Sequence, residues 1–310
     1  MESSHSASAV IIGPKGEILA EYGDGQMCTY IRSSAKPFQI IPALESGIQS
    51  KFGLSDEEIA VCCSSHSGEN IHIARVQSVL QKTGIDSSLL RCGIHPPLGA
   101  DVRRMLKESG ETPTVLQNNC SGKHSAMLAT AKINGEPLED YLNPAHPVQQ
   151  RILNVIEEYS EEADIHVGVD GCSAPVYYLQ LQSIAMMYQK LASSNASAVI
   201  GDVWDKMTSN PLMIAGSGRY DSKVMEDGKG TILSKMGAEG VQCMSFKTKD
   251  GPIGLVVKVH DGTRRAVLPA VLYLLYKFGL APDGNYDNFR IPELKNHAGL
   301  VVGRIEVNGQ

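Results

Sequence analysis

No stretch of the 310-residue chain approaches the ~20 consecutive apolar residues that a membrane-spanning helix requires, so no such helix is expected. A basic surplus is also missing. The 28 Lys and Arg against 34 Asp and Glu leave a net charge of −6, which argues against nonspecific nucleic-acid binding through counterion release. The seven cysteines include no Cys-x-x-Cys pair, so a conventional zinc finger is excluded. Their odd number and scattered spacing also fail to describe a secreted disulfide framework. The opening residues, Met1 to His5, offer neither a basic nor an apolar leader region, and the expectation is a cytoplasmic protein. Repeats, low-complexity tracts and Pro/Ser-rich linkers are absent too. What remains is an ordinary globular composition, 42% hydrophobic and 20% charged. The length suits a single catalytic unit over residues 1–310, or a sheet part drawn from both termini joined to a helical middle.

The patterning predicts a hairpin over residues 8–22, turning at Gly13-Pro14-Lys15-Gly16. Helical texture follows at 35–46, with a kink or break expected at Pro42. A short strand is expected at 59–63. A helix follows, capped by Ser67, with Ile73, Val76 and Leu80 at helical spacing and a stop at Gly84. Residues 91–103 read as loop, while 122–132 and Pro147 to Tyr159 read as helices. A buried strand at 165–171 and a long helix from Pro175 to Lys190 come next, then helices near 197–208 and 264–278. Strands at 241–247 and 253–260 flank the turn signal Lys249-Asp250-Gly251-Pro252, and a last strand is expected at 299–307. Met186-Met187 and the 273–276 run read as helix core. Hairpins at both ends around a helix-rich middle predict an α+β fold, helices layered on a mostly antiparallel sheet.

The chemistry concentrates in four polar turns, each just before a predicted helix: IRSSAKPFQ at 31–39, CCSSHSGEN at 62–70, NNCSGKHSA at 118–126 and GVDGCSAPV at 168–176. Each brings hydroxyls, thiols or histidines to a helix N-terminus, where free backbone N–H groups favour negative charge. Within the first, Ser33 and Lys36 are three apart, so a helix would place amine and hydroxyl on one face. Serine needs a neighbouring base to act as a nucleophile, and a lysine whose pKa is depressed by burial or a nearby cation can be that base. Cys62 and Cys63, adjacent on an expected strand, face opposite ways and cannot chelate one metal.

Taken in order, the phrases RSSAKPFQ, SSHSGE, NNCSGKHS and GVDGCSAP resemble the third, rhizobial type of bacterial L-asparaginases. That family is similar in fold to serine β-lactamases and glutaminases, and it implies two Ser–Lys tandems. These are Ser33 with Lys36, and Ser65 with a distant lysine placed at Lys235; Lys229 rivals Lys235, and Ser64 and Ser67 rival Ser65. Arg32 and His66 flank these pairs as candidate substrate contacts. The resemblance further implies zinc held by Cys120, Lys123, Cys172 and a water. A lysine coordinates only as the neutral amine, so binding must expel its proton. Asp170 is expected to anchor the substrate's α-amino group or a ligand lysine, and His124 to stand behind the metal. The implied reaction is hydrolysis of L-asparagine to aspartate and ammonia by a homodimer. Which serine is acylated, and the choice between asparagine and glutamine, stay open. Three rivals stand beside it: a Ser–Lys hydrolase of β-lactam or peptide amides, a cysteine enzyme using Cys120 with His124, and a noncatalytic amino-acid- or zinc-binding protein.

Overall fold

A near-continuous apolar run makes Ala7–Ile12 (β1) a strand with two buried faces, Ala9 and Ile11 on one and Val10 and Ile12 on the other. The computed structural model describes residues 1–193 and 197–309. In it β1 pairs antiparallel with Ile18–Tyr22 (β2), across a turn closed by Gly13 and Glu17. The order continues through Cys28–Tyr30 (β3), His166–Val169 (β4), Pro175–Gln180 (β5), Ile232–Met236 (β6), Val241–Thr248 (β7) and Gly251–Val259 (β8). The main sheet runs β2-β1-β8-β7-β6, every neighbour antiparallel, with Val10 opposite Val256 and Lys235 opposite Cys243. N- and C-terminal segments thus interleave in one sheet, and the α+β expectation is met.

Helices cover both faces. Val10, Ile12, Leu233, Cys243 and Val256 pack toward the helical middle of the chain. Ile11, Met244, Leu255 and Val257 pack with residues of the helix Val267–Lys277. The helix Leu181–Leu191 lies directly on β8, where a Cβ on Gly254 would stand 2.0 Å from the Ala185 carbonyl oxygen. A smaller sheet, β3-β5-β4, closes the helical side. Among the described residues no helix is long and apolar enough to cross a membrane.

Several local expectations are corrected. Residues 59–63 are not a strand but the end of the helix Asp56–Cys62, started by a capping box between Ser55 and Glu58. Cys62 and Cys63 therefore sit at a helix end. The segment from Pro175 is first β5 and only then helix, because proline opens the strand, where a missing N–H costs nothing. The helix after the second polar turn is Asn70–Thr83, capped by Glu69 and not by Ser67. β4 is largely exposed rather than buried, and the last strand is a short pair, Glu293–Lys295 (β9) with Val301–Arg304 (β10). The 91–103 loop ends early, at the helix Ala100–Ser109. The break at Pro42 is seen, between the short helices Lys36–Gln39 and Ile41–Glu45.

Candidate active site

Four chain segments meet at one cavity of about 370 Å³, whose walls include Arg32, Ser33, Ser65, Asn119, Cys120 and Asp170. They are the polar turns read from the sequence, and one close helix contact helps bring them together. The helix Ser121–Ile133 presses on the helix Asp56–Cys62 at Gly122, where any Cβ would lie 2.2 Å from the Val61 carbonyl oxygen. The same contact holds Cys120 and Lys123 against the segment that carries Ser65.

Ser65 is the centre of the arrangement. Its Oγ lies 2.8 Å from Lys235 Nζ and 3.1 Å from Lys36 Nζ. Both lysines are fully buried. Lys36 also donates to the carbonyls of Ser64 and Asn119, so its three ammonium donors have three acceptors. Lys235 donates to the Met236 carbonyl at 2.9 Å. Burial, reinforced by the nearby Lys36 charge, lowers the Lys235 pKa to about 7. Strand β6, which carries Lys235, is pinned by buried Asp221. That carboxylate accepts from Ser234 Oγ at 2.7 Å, Gln242 Nε2 at 2.8 Å and the Met236 amide at 3.0 Å.

The structure distributes the predicted residues unequally. Lys36 points to Ser65, and among the described residues no hydrogen bond joins it to Ser33, so the local i, i+3 pairing gives way to a tertiary one. A buried ammonium must satisfy three donors, and the Ser64 and Asn119 carbonyls lie on Ser65's side. Ser33 lines the cavity with its hydroxyl free of both lysines. Of the rivals, Ser64 donates to Val61 O and closes a turn, while Ser67 donates to Ala215 O and ties its loop to a distant segment. Lys229 stands at the end of the helix Tyr220–Gly228 and lines a different groove. Arg32 pairs with Asp170 at 2.8 Å and holds a left-handed backbone (φ 54°), a costly conformation for a side-chain-bearing residue. Lys123 and Arg32 outweigh the burial of Asp170 and hold its carboxyl below the usual range. His66 does not reach the cavity. Its Nε2 meets Ser121 Oγ at 3.0 Å, its Nδ1 accepts from the Gly68 amide, and burial keeps it neutral.

Cys120, Lys123 and Cys172 converge on the cavity's inner wall. Lys123 Nζ lies 3.2 Å from Cys172 Sγ, which also stands 3.5 Å from Asp170 Oδ2. The hydrogen bond shared by the two thiols pushes Cys120 well down and, with burial, lifts Cys172 to about 11. Burial opposes a charge on Lys123, but the two sulfurs and Asp170 raise its pKa. Among the described residues no three His, Cys, Asp or Glu side chains form a metal-holding group, so any metal here would need the lysine. Behind Cys172, His124 is buried, with Nδ1 at 2.7 Å from Tyr141 Oη and its ring beside the Cys172 thiol. The two sulfurs are donors of the kind zinc takes, and the amine could join them once deprotonated.

Sequence reasoning missed Asn119, Met236, Glu239 and Arg264, all on the cavity wall. Asn119 Oδ1 lies 3.0 Å from His95 Nε2, and the other ring nitrogen of His95 meets the Pro96 carbonyl oxygen at 2.7 Å. Only Asn119 lay inside a recognised phrase, where it reads as part of a cap.

Fold and site together describe an α+β protein with a polar cavity opening on a buried serine. The chain belongs to the L-asparaginase II family, whose model matches residues 1–307. No curated protein matches the chain significantly. Among solved structures, a β-lactamase from Sphaerobacter thermophilus is 15% identical, with 90% of this chain and 94% of that one covered and a TM-score of 0.48. A Bacillus glutaminase is 12% identical over 89% and 91% of the two chains, at a TM-score of 0.43. Mglu in its native form is 14% identical at 0.43; 91% of this chain is covered, and it spans only 63% of Mglu. These likenesses are loose, and the α+β assignment stands on strand order and helix layering.

Proposed function

We propose that the protein hydrolyses the side-chain amide of L-asparagine, giving L-aspartate and ammonia, with Ser65 as nucleophile. The observation that carries this reading is the Ser65 hydroxyl held between two buried lysine nitrogens, at 2.8 and 3.1 Å. Neutral Lys235 takes the Ser65 proton as Oγ attacks the amide carbon. The Lys36 ammonium steadies the charge that develops on Oγ. Protonated Lys235 then gives its proton to the departing nitrogen, releasing ammonia and leaving an aspartyl ester on Ser65. Water, deprotonated by the same lysine, cleaves the ester to aspartate and restores the hydroxyl.

Cys120, Lys123 and Cys172 are the residues that would hold zinc, with the Lys123 proton expelled on binding. Zinc held there supplies a fixed positive charge beside the cavity. The resemblance also supports a homodimer. The test is ammonia release from asparagine and glutamine, with labelling by a diazoketone analogue of asparagine and peptide mapping, alongside elemental analysis. Ser65→Ala and Lys235→Met are expected to lose at least 10³-fold in kcat, with the label on Ser65. Because Ser33 also faces the cavity, a label on Ser33 would transfer the nucleophile's role to it. Absence of ammonia release in the unmodified protein would refute the reading.

A further inference from the structure

The cavity carries two wall arginines whose circumstances differ. Arg32 is neutralised, at 2.8 Å from Asp170 and 3.9 Å from Glu239. Arg264 is exposed in the turn Arg264–Ala266, and among the described residues no carboxylate lies within ion-pairing distance of it. Its Nη2 stands 3.8 Å from the Met236 sulfur, also on the cavity wall. On the other side of that sulfur is a third guanidinium. Arg219 Nη2 donates to Met236 Sδ at 2.6 Å, while Nη1 is buried with no partner. The carboxylates nearest Arg219 are engaged elsewhere. Asp221 serves Ser234, Met236 and Gln242, and Glu69 serves Ser67 and Ser217.

Arg264 on the cavity wall and Arg219 buried behind it thus meet at one thioether, and among the described residues neither makes an ion pair, although Asp221 and Glu69 stand near Arg219. Burying a cation is costly, and Arg219 bears that cost; Arg264 is exposed, and as an unpaired guanidinium on the cavity wall it is free to take an anion. Arginine also suits a carboxylate in particular, because its planar fork matches the two oxygens. We propose that Arg264, with Arg219 behind Met236, anchors the α-carboxylate of the amide substrate. This rests on the amidohydrolase reading above and adds the requirement that the substrate be an amino acid. Asp170, also on the cavity wall, then receives the α-amino group, with the side-chain amide presented to Ser65. Arg264 touches the substrate; Arg219 acts through the field it adds and by holding Met236 in place.

The test compares L-asparagine with 3-aminopropanamide, which is asparagine without its α-carboxylate. Arg264→Gln is expected to raise KM for asparagine 10- to 100-fold with kcat within threefold, and to leave kcat/KM for 3-aminopropanamide within twofold. Arg264→Lys should restore part of the loss. Arg219→Gln should raise the same KM by a smaller factor. An Arg264→Gln KM within twofold of the unmodified protein overturns the anchor while leaving the amidohydrolase reading intact. An equal loss for both amides also overturns it, because a merely structural residue would give that pattern. No turnover of any amide by the unmodified protein overturns both.

Discussion

Lys235 is a base only when neutral, and a pKa of about 7 leaves it largely so at physiological pH. The sign follows directly. Below about pH 7 the amine is protonated, so kcat/KM should fall about tenfold per pH unit, and above it the rate should level. Burial depresses the pKa most, then Lys36 and Arg219, while Asp221 and Cys120 oppose them. Removing one of the cations should therefore move the acid limb to higher pH, and Arg219→Gln tests this by a pH–rate profile. A limb that stays in place would show that Lys235 is not the titrating base. The same depression costs stability. Between about 7 and the unfolded value near 10.4 the unfolded chain binds the extra proton, so this lysine's share of stability grows as pH rises through that window. Lys235→Met should flatten that rise and unfold at higher urea than the parent at pH 7. Much of this residue set was legible in the sequence, because Ser65, Lys36, Arg32 and Asp170 sit in recognisable phrases. Arg264 and Met236 were not, since each gains meaning only from what tertiary folding places beside it. Lys36 shows the limit best. Its local spacing pointed to Ser33, and the acceptors that decide its direction lie 28 and 83 residues away.

At the scale of elements, the site is set by how closely two helices approach. Gly122 has no φ that demands glycine; what demands it is the Val61 carbonyl at 2.2 Å from the absent Cβ. Gly122→Ala must push the helix Ser121–Ile133 off the helix Asp56–Cys62, and overpacking of this kind typically costs about 1–3 kcal/mol or more. The expected result is a lower urea midpoint together with a loss in kcat, because Asn119 O, an acceptor for Lys36, moves with that helix start. A variant destabilised but fully active would show that Ser65's alignment does not depend on this contact. The elements misread from sequence have a common physical cause. A short apolar run such as 59–63 fits strand or helix equally by periodicity, and only its flanks decide. Here the deciding flank was the Ser55 to Glu58 capping box. In the same way Pro175 suits the first turn of a helix as well as the first position of a strand, so the helix read over Leu181, Ile184 and Tyr188 was extended back across the boundary with β5.

The whole molecule joins termini and middle through one sheet, and this decides how it should unfold. Alternate residues of β1 enter different apolar clusters. Val10 and Ile12 belong to the cluster that holds the helical middle, and Ala9 and Ile11 to the one beneath the helix Val267–Lys277. β8 does the same through Val256 and Val257. Neither layer can then lose its partner without exposing one face of the shared strands, a loss of roughly 25 cal/mol per Å² of apolar surface. The proposed catalytic cluster straddles the same division. Lys235 comes from β6 of the sheet, while Ser65 and Lys36 come from the helical side. Calorimetry at pH 7.5 should accordingly show one transition, with van't Hoff and calorimetric enthalpies equal. Saturating L-aspartate should move that whole transition upward, since a ligand held between the layers stabilises both, by about 2.7 kcal/mol at a hundred times its Kd. Two resolved transitions, only one of them shifted by aspartate, would mean that sheet and helical middle unfold as separate units and that the ligand is held by one of them alone.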